Sequence, residues 1–246
     1  MNGVVRLLQL ASPALPIGGY SYSTGLESAI ECGAVSGPDN AFQWIDDAMS
    51  LVVGRFDAPL VAAAMQACAA GDHPRLEELN RLALAARETA ELRLESEQMG
   101  FSLMHWIEQV PAREEVAATA AGAERGSGSE TDAVAATTAV ATWRPQGPVA
   151  AAVAWAIAAV RLRLSPADAV TGFLWSFVEN QVMVLIKTIP LGQIQAQRVL
   201  HRLGSRVEAV TEASLQLSPR QWSNAAPGLA IASMHHETQY SRLFRS

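Results

Sequence analysis

The sequence predicts an all-α protein, a helical bundle of roughly eight to ten helices forming a single domain over residues 1–246. Three observations carry that expectation. Apolar residues recur with a period near 3.6, and no stretch alternates as a half-buried strand would. Half of the 246 residues are apolar and only 17 % are charged, and a chain of this length buries about 70 % of its extended surface on folding, enough for one substantial core. Helix starts and stops (Ser, Asp and Pro before periodic runs, Gly after them) punctuate the chain throughout.

The first informative stretch runs from Ser12 to Glu27. Pro13, Pro16 and the Gly18-Gly19 pair demand a specific backbone path, and Tyr20 and Tyr22 carry polar tips. Thr24 followed by Glu27 reads as a capping box opening a helix. Pro38-Asp39 starts a second helix, with Phe42, Ile45, Met49, Val52 and Val53 on one stripe and Gly54 as its stop. Asp57 then caps a third, through Leu60, Val61 and Met65 to about Ala70. Pro74 suits a first helical position. From Leu76 to Trp106 the pattern reads as one long helix or two stacked ones, with Arg87, Glu88, Glu91, Arg93 and Glu95 as a solvated outer face.

Residues 111–143 are rich in Ala, Thr, Gly, Ser and Glu and poor in large apolar side chains. Such a stretch buries too little surface to offset its ordering entropy and reads as a low-complexity surface loop. Helical periodicity resumes after Pro148 with Val153, Ile157 and Val160. Ser165-Pro166-Ala167-Asp168 is a capping box opening a helix that is apolar nearly all round, as a central helix should be. Pro190 and Gly192 end it; another helix runs from about Gly192 to Gln216, and a last one begins near Pro227.

Composition excludes several classes. The net charge of −6 and the dispersed cations argue against a nucleic-acid grip. Two cysteines are too few for a disulfide scaffold or a Cys-based zinc site, and suit a reducing, cytoplasmic setting. The uncharged stretch 7–26 is broken by Pro and Gly, and 149–160 is shorter than the roughly 20 residues a bilayer requires, so neither is expected to span a membrane. There is no G-x-x-x-x-G-K-[ST], H-E-x-x-H or G-x-S-x-G, so neither a P-loop nor those hydrolase motifs is present.

Isolated candidates remain. His235 and His236 are the only local pair with metal-ligand character, but neighbours on a helix diverge by about 100°, so they read better as solvated surface residues and no metal or cofactor is assigned. Arg198, Arg202 and Arg206 share one helix face, either solvated or a docking stripe for an acidic partner. Lys187, the only lysine, either caps its helix or marks a polar patch with Glu179. An all-α enzyme whose polar residues Glu179, Lys187 and Gln193 converge only in three dimensions is the alternative function left open by spacing alone.

Three separated segments resemble a known family. Ser12 to Glu27 is similar to S-P-x-L-P-[IV]-G-[GS]-[YF]-[ST]-[YF]-S-x-G-L-E; Glu179-Asn180-Gln181 through Lys187 and Pro190-Leu191-Gly192-Gln193 to Gln197-Arg198 is similar to E-N-x…K-x-[VI]-P-L-G-Q…G-Q-R, with Ala196 where Gly is frequent; and Met234 to Ser246 is similar to [RH]-H-x-x-Q-x-x-R-L-F-x-S. A weaker likeness covers Arg87-Glu88-Thr89, Glu95 and Gln98-Met99-Gly100. These resemble the urease accessory protein UreF family. The resemblance implies a non-enzymatic all-α scaffold and co-chaperone that forms a homodimer, binds UreD (UreH), recruits the GTPase UreG and serves nickel insertion into apo-urease. It implies partner-binding roles for Pro16, Gly18, Gly19, Tyr20, Tyr22, Glu27, Lys187, Gln193, Gln197, Arg198, Tyr240, Arg242, Leu243, Phe244 and Arg245, to which the docking-stripe reading adds Arg202. The tail is expected to be loose in the isolated chain and to pack near the Tyr20 turn once UreD binds.

Overall fold

The computed structural model describes residues 3–109 and 143–246. The reading of 111–143 as a surface loop lies outside the described residues except at Trp143, which is buried. Among the described residues there are nine helices and no strand: α1 Gly3–Leu10, α2 Leu26–Glu31, α3 Pro38–Ala70, α4 His73–Ala85, α5 Ala90–Gln109, α6 Ala151–Arg161, α7 Pro166–Thr188, α8 Gln193–Leu215 and α9 Pro227–Glu237. The all-α expectation therefore holds, and the 76–106 pattern resolves into two helices.

The helix over 38–70 departs from its sequence signals. Gly54 does not stop it and Asp57 does not cap a new helix; instead the chain winds through a π-helical stretch, Met49–Asp57, and continues. The glycine has a packing reason. A Cβ at Gly54 would lie 2.5 Å from Val210 Cγ1 and 2.9 Å from Met49 O, so the missing side chain lets α8 approach, and Ser214 Oγ donates to Gly54 O at 2.6 Å. Asp57 is buried and spends its carboxylate on the two terminal guanidinium nitrogens of Arg87. Burial works to lower that guanidinium's pKa, and the charge and hydrogen bond of Asp57, with the charges of Glu95 and Glu88, together more than reverse it.

α3, α6 and α7 form the apolar centre. Leu60, Val61, Ile157, Leu174 and Leu185 are at most 1 % exposed. Trp155 joins α6 to α7 by donating Nε1–H to Ala169 O at 3.0 Å and stacking edge-on against Phe173 at 5.4 Å. Where the chain re-enters α6, Asn80 accepts from Ala150 N at 2.8 Å and donates to Pro148 O at 2.9 Å. Gly100 on α5 touches the same segment: a Cβ there would lie 1.8 Å from Val149 O. α3 and α7 are each long and apolar enough to cross a membrane by length and composition, but 72 % and 50 % of their most apolar windows are buried inside this fold. Core helices of a compact protein meet the same two criteria.

α7 begins as its capping box predicts, with Ser165 Oγ accepting from Asp168 N at 3.1 Å and proline in the first turn. It ends at Thr188, before Pro190. α8 packs along α7 and α3, and the arginine stripe is spent inside the chain: Arg202 pairs with Asp39 at 2.9 Å and lies over the Phe42 ring, and Arg206 pairs with Asp46 at 3.2 Å. The acidic partner of those two arginines is α3 itself; Arg198 stays exposed.

Candidate functional site

The N-terminal turn, the second half of α7 and the residues after α9 meet in one polar patch, with α5 as its floor. The turn takes a path that its prolines and glycines permit: Gly18 lies in the left-handed region and Gly19–Ser21 form a 3₁₀ turn. Helix α2 starts only after Gly25, so the Thr24–Glu27 capping box does not form. Thr24 itself sits at φ 53, a costly backbone for a β-branched residue, and its Oγ1 donates to Glu95 Oε1 at 3.2 Å. Glu27 is buried and turned toward the tail rather than toward its own helix end.

The tail, residues 238–246, is docked in the isolated chain, which corrects the expectation that it is loose. Its location beside the turn is as expected. Arg245 N donates to Ser21 O and Ser23 N to Ser246 O, each at 2.8 Å, and Ser23 Oγ also donates to Ser246 O. Glu27 accepts from Leu243 N at 2.7 Å and Phe244 N at 3.0 Å. Ser246 Oγ donates to Glu95 Oε2 at 2.5 Å, and Arg242 Nη1 to Glu91 Oε1 at 2.5 Å. Gln98 Oε1 accepts from Tyr22 OH at 2.5 Å and from Arg245 at 3.3 Å. Phe244 is 6 % exposed and Ser246 fully buried.

α7 closes the patch from the other side. Asn180 donates to Tyr22 O at 2.9 Å and Gln181 to Ser23 O at 3.1 Å. Lys187, exposed in the last turn of α7, sits over the Phe244 ring at 5.2 Å and reaches Tyr20 O at 3.5 Å. Burial, then the charge of Glu179, pushes the Tyr20 phenol up to about 12. Burial raises Tyr22 as well, against a lowering hydrogen bond from Arg245. The carboxyls of Glu179 and Glu95 are both raised by burial, Glu95 in spite of its bond from Ser246 and the Arg87 charge.

His236 overturns its sequence reading. It is completely buried, with Nδ1 2.6 Å from Glu91 Oε2 and Nε2 3.2 Å from Glu27 Oε2, while His235 is exposed as expected. Both ring nitrogens face carboxylates, and among the described residues no group of three or more His, Cys, Asp or Glu is placed to hold a metal ion. The expected solvated face over 87–95 is corrected likewise: Arg87, between α4 and α5, pairs with Asp57, while on α5 Glu91 pairs with His236 and Arg242 and Glu95 bonds to the turn and tail; Glu88 and Arg93 are exposed. Spacing of four between residues 91 and 95 places them on one helix face but does not give which way it points.

The remaining candidates divide. Pro16, Gly18, Tyr240, Arg242, Leu243 and Arg245 lie at the outer edge of the patch and are exposed, Tyr240 and Leu243 at 105 % and 69 %. Gln193, Gln197 and Arg198 are exposed on the first turns of α8, and Arg202 on that helix is engaged with Asp39. Among the described residues no hydrogen bond or ion pair joins Glu179, Lys187 and Gln193. Residues 35–204 match the family model described as UreF. The chain is 46 % identical over 243 residues to the urease accessory protein UreF of Azoarcus sp. (strain BH72), covering 99 % of this chain and 95 % of that one. It is 45 % identical over 246 residues, the full length of both, to that of Ectopseudomonas mendocina (strain ymp). With that of Dechloromonas aromatica (strain RCB) the identity is 44 % over 243 residues, 99 % of this chain and 97 % of the other.

Proposed function

The chain belongs to the UreF family of urease accessory proteins, and from that premise we propose that it is a non-catalytic scaffold that binds UreD (UreH), recruits the GTPase UreG and brings both to apo-urease, where nickel is the cargo. It does so as a cytoplasmic homodimer, with no role for nucleic acid or membrane. One observation carries the reading: three segments far apart in sequence, 12–27, 179–187 and 242–246, are bonded into one patch. Most of those bonds are to backbone atoms, an arrangement that fixes a surface shape instead of presenting a free nucleophile or base. Above the bonded layer lie Tyr240 and Arg245, residue types that anchor interfaces, with the exposed aliphatic side chain of Leu243 beside them.

The test is co-purification of the chain with UreD and UreG, followed by activation of apo-urease in the reconstituted mixture. Leu243→Asp places a charge at the centre of the exposed edge while leaving its backbone bond to Glu27 in place. It is expected to cut recovery of the complex and urease activation at least tenfold, a cost of about 1.4 kcal/mol or more, with the melting temperature of the isolated chain unchanged. Recovery of both partners at the unaltered level would refute this placement of the surface. For the homodimer, an obligate apolar interface buries on the order of 2,000 Å² or more; light scattering that finds a monomer at micromolar concentration, alone and with UreD, would exclude it.

A further inference from the structure

The exposed edge of the patch owes its geometry to a residue that no partner could touch. His236 lies on the inward face of α9, fully buried, and bridges α2 to α5 through Glu27 and Glu91. Each of those carboxylates has a second duty toward the tail. Glu27 receives the amides of Leu243 and Phe244, and Glu91 receives the guanidinium of Arg242. Three consecutive tail residues are therefore held by the two side chains that one imidazole fixes in place. The same helix supplies two further ties: Glu237 accepts the α5 amides of Ala90 at 3.0 Å and Glu91 at 3.3 Å, and Ser233 Oγ lies 2.8 Å from Thr89 Oγ1.

We propose that His236 is the positioning residue of the partner surface: donating from both ring nitrogens, it locks Glu27 and Glu91 in the orientation that docks residues 242–244. With both carboxylates ionised, a hydrogen-bond count distinguishes the two forms of the ring. A neutral imidazole carries one N–H and would turn a lone pair toward one of the two carboxylates; the imidazolium donates to both. With Glu27, Glu91 and Arg242 ionised, an imidazolium also brings the buried group to zero net charge, which a low-dielectric site requires. Glu237, the nearest acid on the same helix, is turned to the α5 amides, and His235 faces solvent. The inference rests on the reading of the patch as a partner surface, but its first two measurements are made on the isolated chain and do not depend on that reading.

The first is nitrogen-detected magnetic resonance of the unaltered full chain. His236 is expected to show two slowly exchanging ring N–H protons; a single one overturns the proposal. The second is amide exchange at Leu243 and Phe244. In His236→Ala it is expected to accelerate about tenfold or more, and millimolar imidazole, which fits the vacated cavity, is expected to restore protection. Unchanged exchange overturns the proposal, and so does acceleration that imidazole leaves untouched, since a general loss of packing would behave that way. Should His236→Ala fail to fold, Glu91→Gln decides: it keeps the side-chain shape but leaves one acceptor oxygen for two donors, so either Arg242 is freed or one of the two ring N–H signals is lost, and retention of both contacts overturns the proposal. The third measurement is recovery of UreD and UreG, expected to fall in His236→Ala and return with imidazole. If the tail is released as expected while recovery stays at the unaltered level, His236 docks the tail but does not position a partner surface. If even the unaltered chain recovers neither partner, the functional reading fails and the docking role stands.

Discussion

The centre of the molecule and the tail patch are both buried, and they are built on opposite principles. Around Leu174, Leu185 and Ile157 the contacts are apolar, non-directional and proportional to area. Around Glu27, Glu91 and Glu95 nearly every contact is a directed hydrogen bond to a backbone or hydroxyl group. A dry core tolerates shape changes gradually, whereas a polar network is held by its members jointly and loses local order when one is removed. The difference predicts that core variants lower global stability and leave the patch intact as long as the chain folds. Patch variants should free the tail while the helices stay folded.

The largest effect is expected in the centre. Leu174→Ala removes a side chain with no exposure, and truncations of that kind cost roughly 2–5 kcal/mol through lost transfer energy and residual cavity. Urea unfolding should show the loss without a change in the exchange rate of Leu243 and Phe244 under native conditions. Tail release at the same time would mean that the two regions are one cooperative unit.

Arg87→Ala tests the boundary between them. It strands the buried carboxylate of Asp57, whose partner guanidinium is only 18 % exposed. Removing one member of a buried pair costs about 3–5 kcal/mol, less where some solvent reaches it. The double variant Arg87→Met/Asp57→Leu should recover much of that loss, because the pair's strength is mostly the penalty of separating it. No recovery in the double variant would show that the charges themselves hold the π-helical turn in place.

The legibility of the sequence follows the same division. Periodicity marked every long helix, because apolar burial repeats with the helix itself, and the Ser165 box and the Pro190 stop are local chemistry read locally. Gly54 was misleading since its reason lies across the molecule, at Val210. Asp57 reads as a helix cap, and Arg87 and His236 as surface residues, because nothing within a few positions reveals that their partners are 30 and 145–209 residues away. The turn and tail were visible as unusual strings, and their pairing was expected, but the bonds that make it are long-range and polar. Local pattern encodes which face is apolar; it does not encode which charged face another helix will cover.

A smaller effect sharpens the electrostatics of the patch. Burial raises the Glu95 carboxyl, so the folded state holds its proton more tightly than the unfolded state. Stability from this group is complete below the ordinary carboxylate value of about 4.5 and is lost as pH rises through the raised folded value. Glu179, raised by the same cause, adds to the slope. Melting temperature should therefore fall from this contribution as pH rises above about 4.5, and Glu95→Gln should flatten the profile. The amide is compatible with the site because the Thr24 and Ser246 hydroxyls can each donate or accept. A profile as steep in Glu95→Gln as in the unaltered chain would place the titration elsewhere.

The smallest expected effect lies outside both regions, and it tests whether charge alone distinguishes them. Arg202 and Asp39 pair at 2.9 Å like the ion pairs of the patch, but Arg202 is about half exposed and Asp39 almost wholly so. In water such a pair contributes roughly 0–1 kcal/mol, since solvent screens the attraction and holding two long side chains has an entropic cost. Asp39→Asn should therefore leave stability within about 0.5 kcal/mol. Arg202→Ala should cost slightly more, because it also removes a guanidinium stacked 4.0 Å from the Phe42 ring centroid. Chemical denaturation of the two variants separates these contributions. A loss in Asp39→Asn as large as that in Arg87→Ala would show that burial is not what separates the tail patch from an ordinary charged surface, and the contrast between the two kinds of polar contact would collapse.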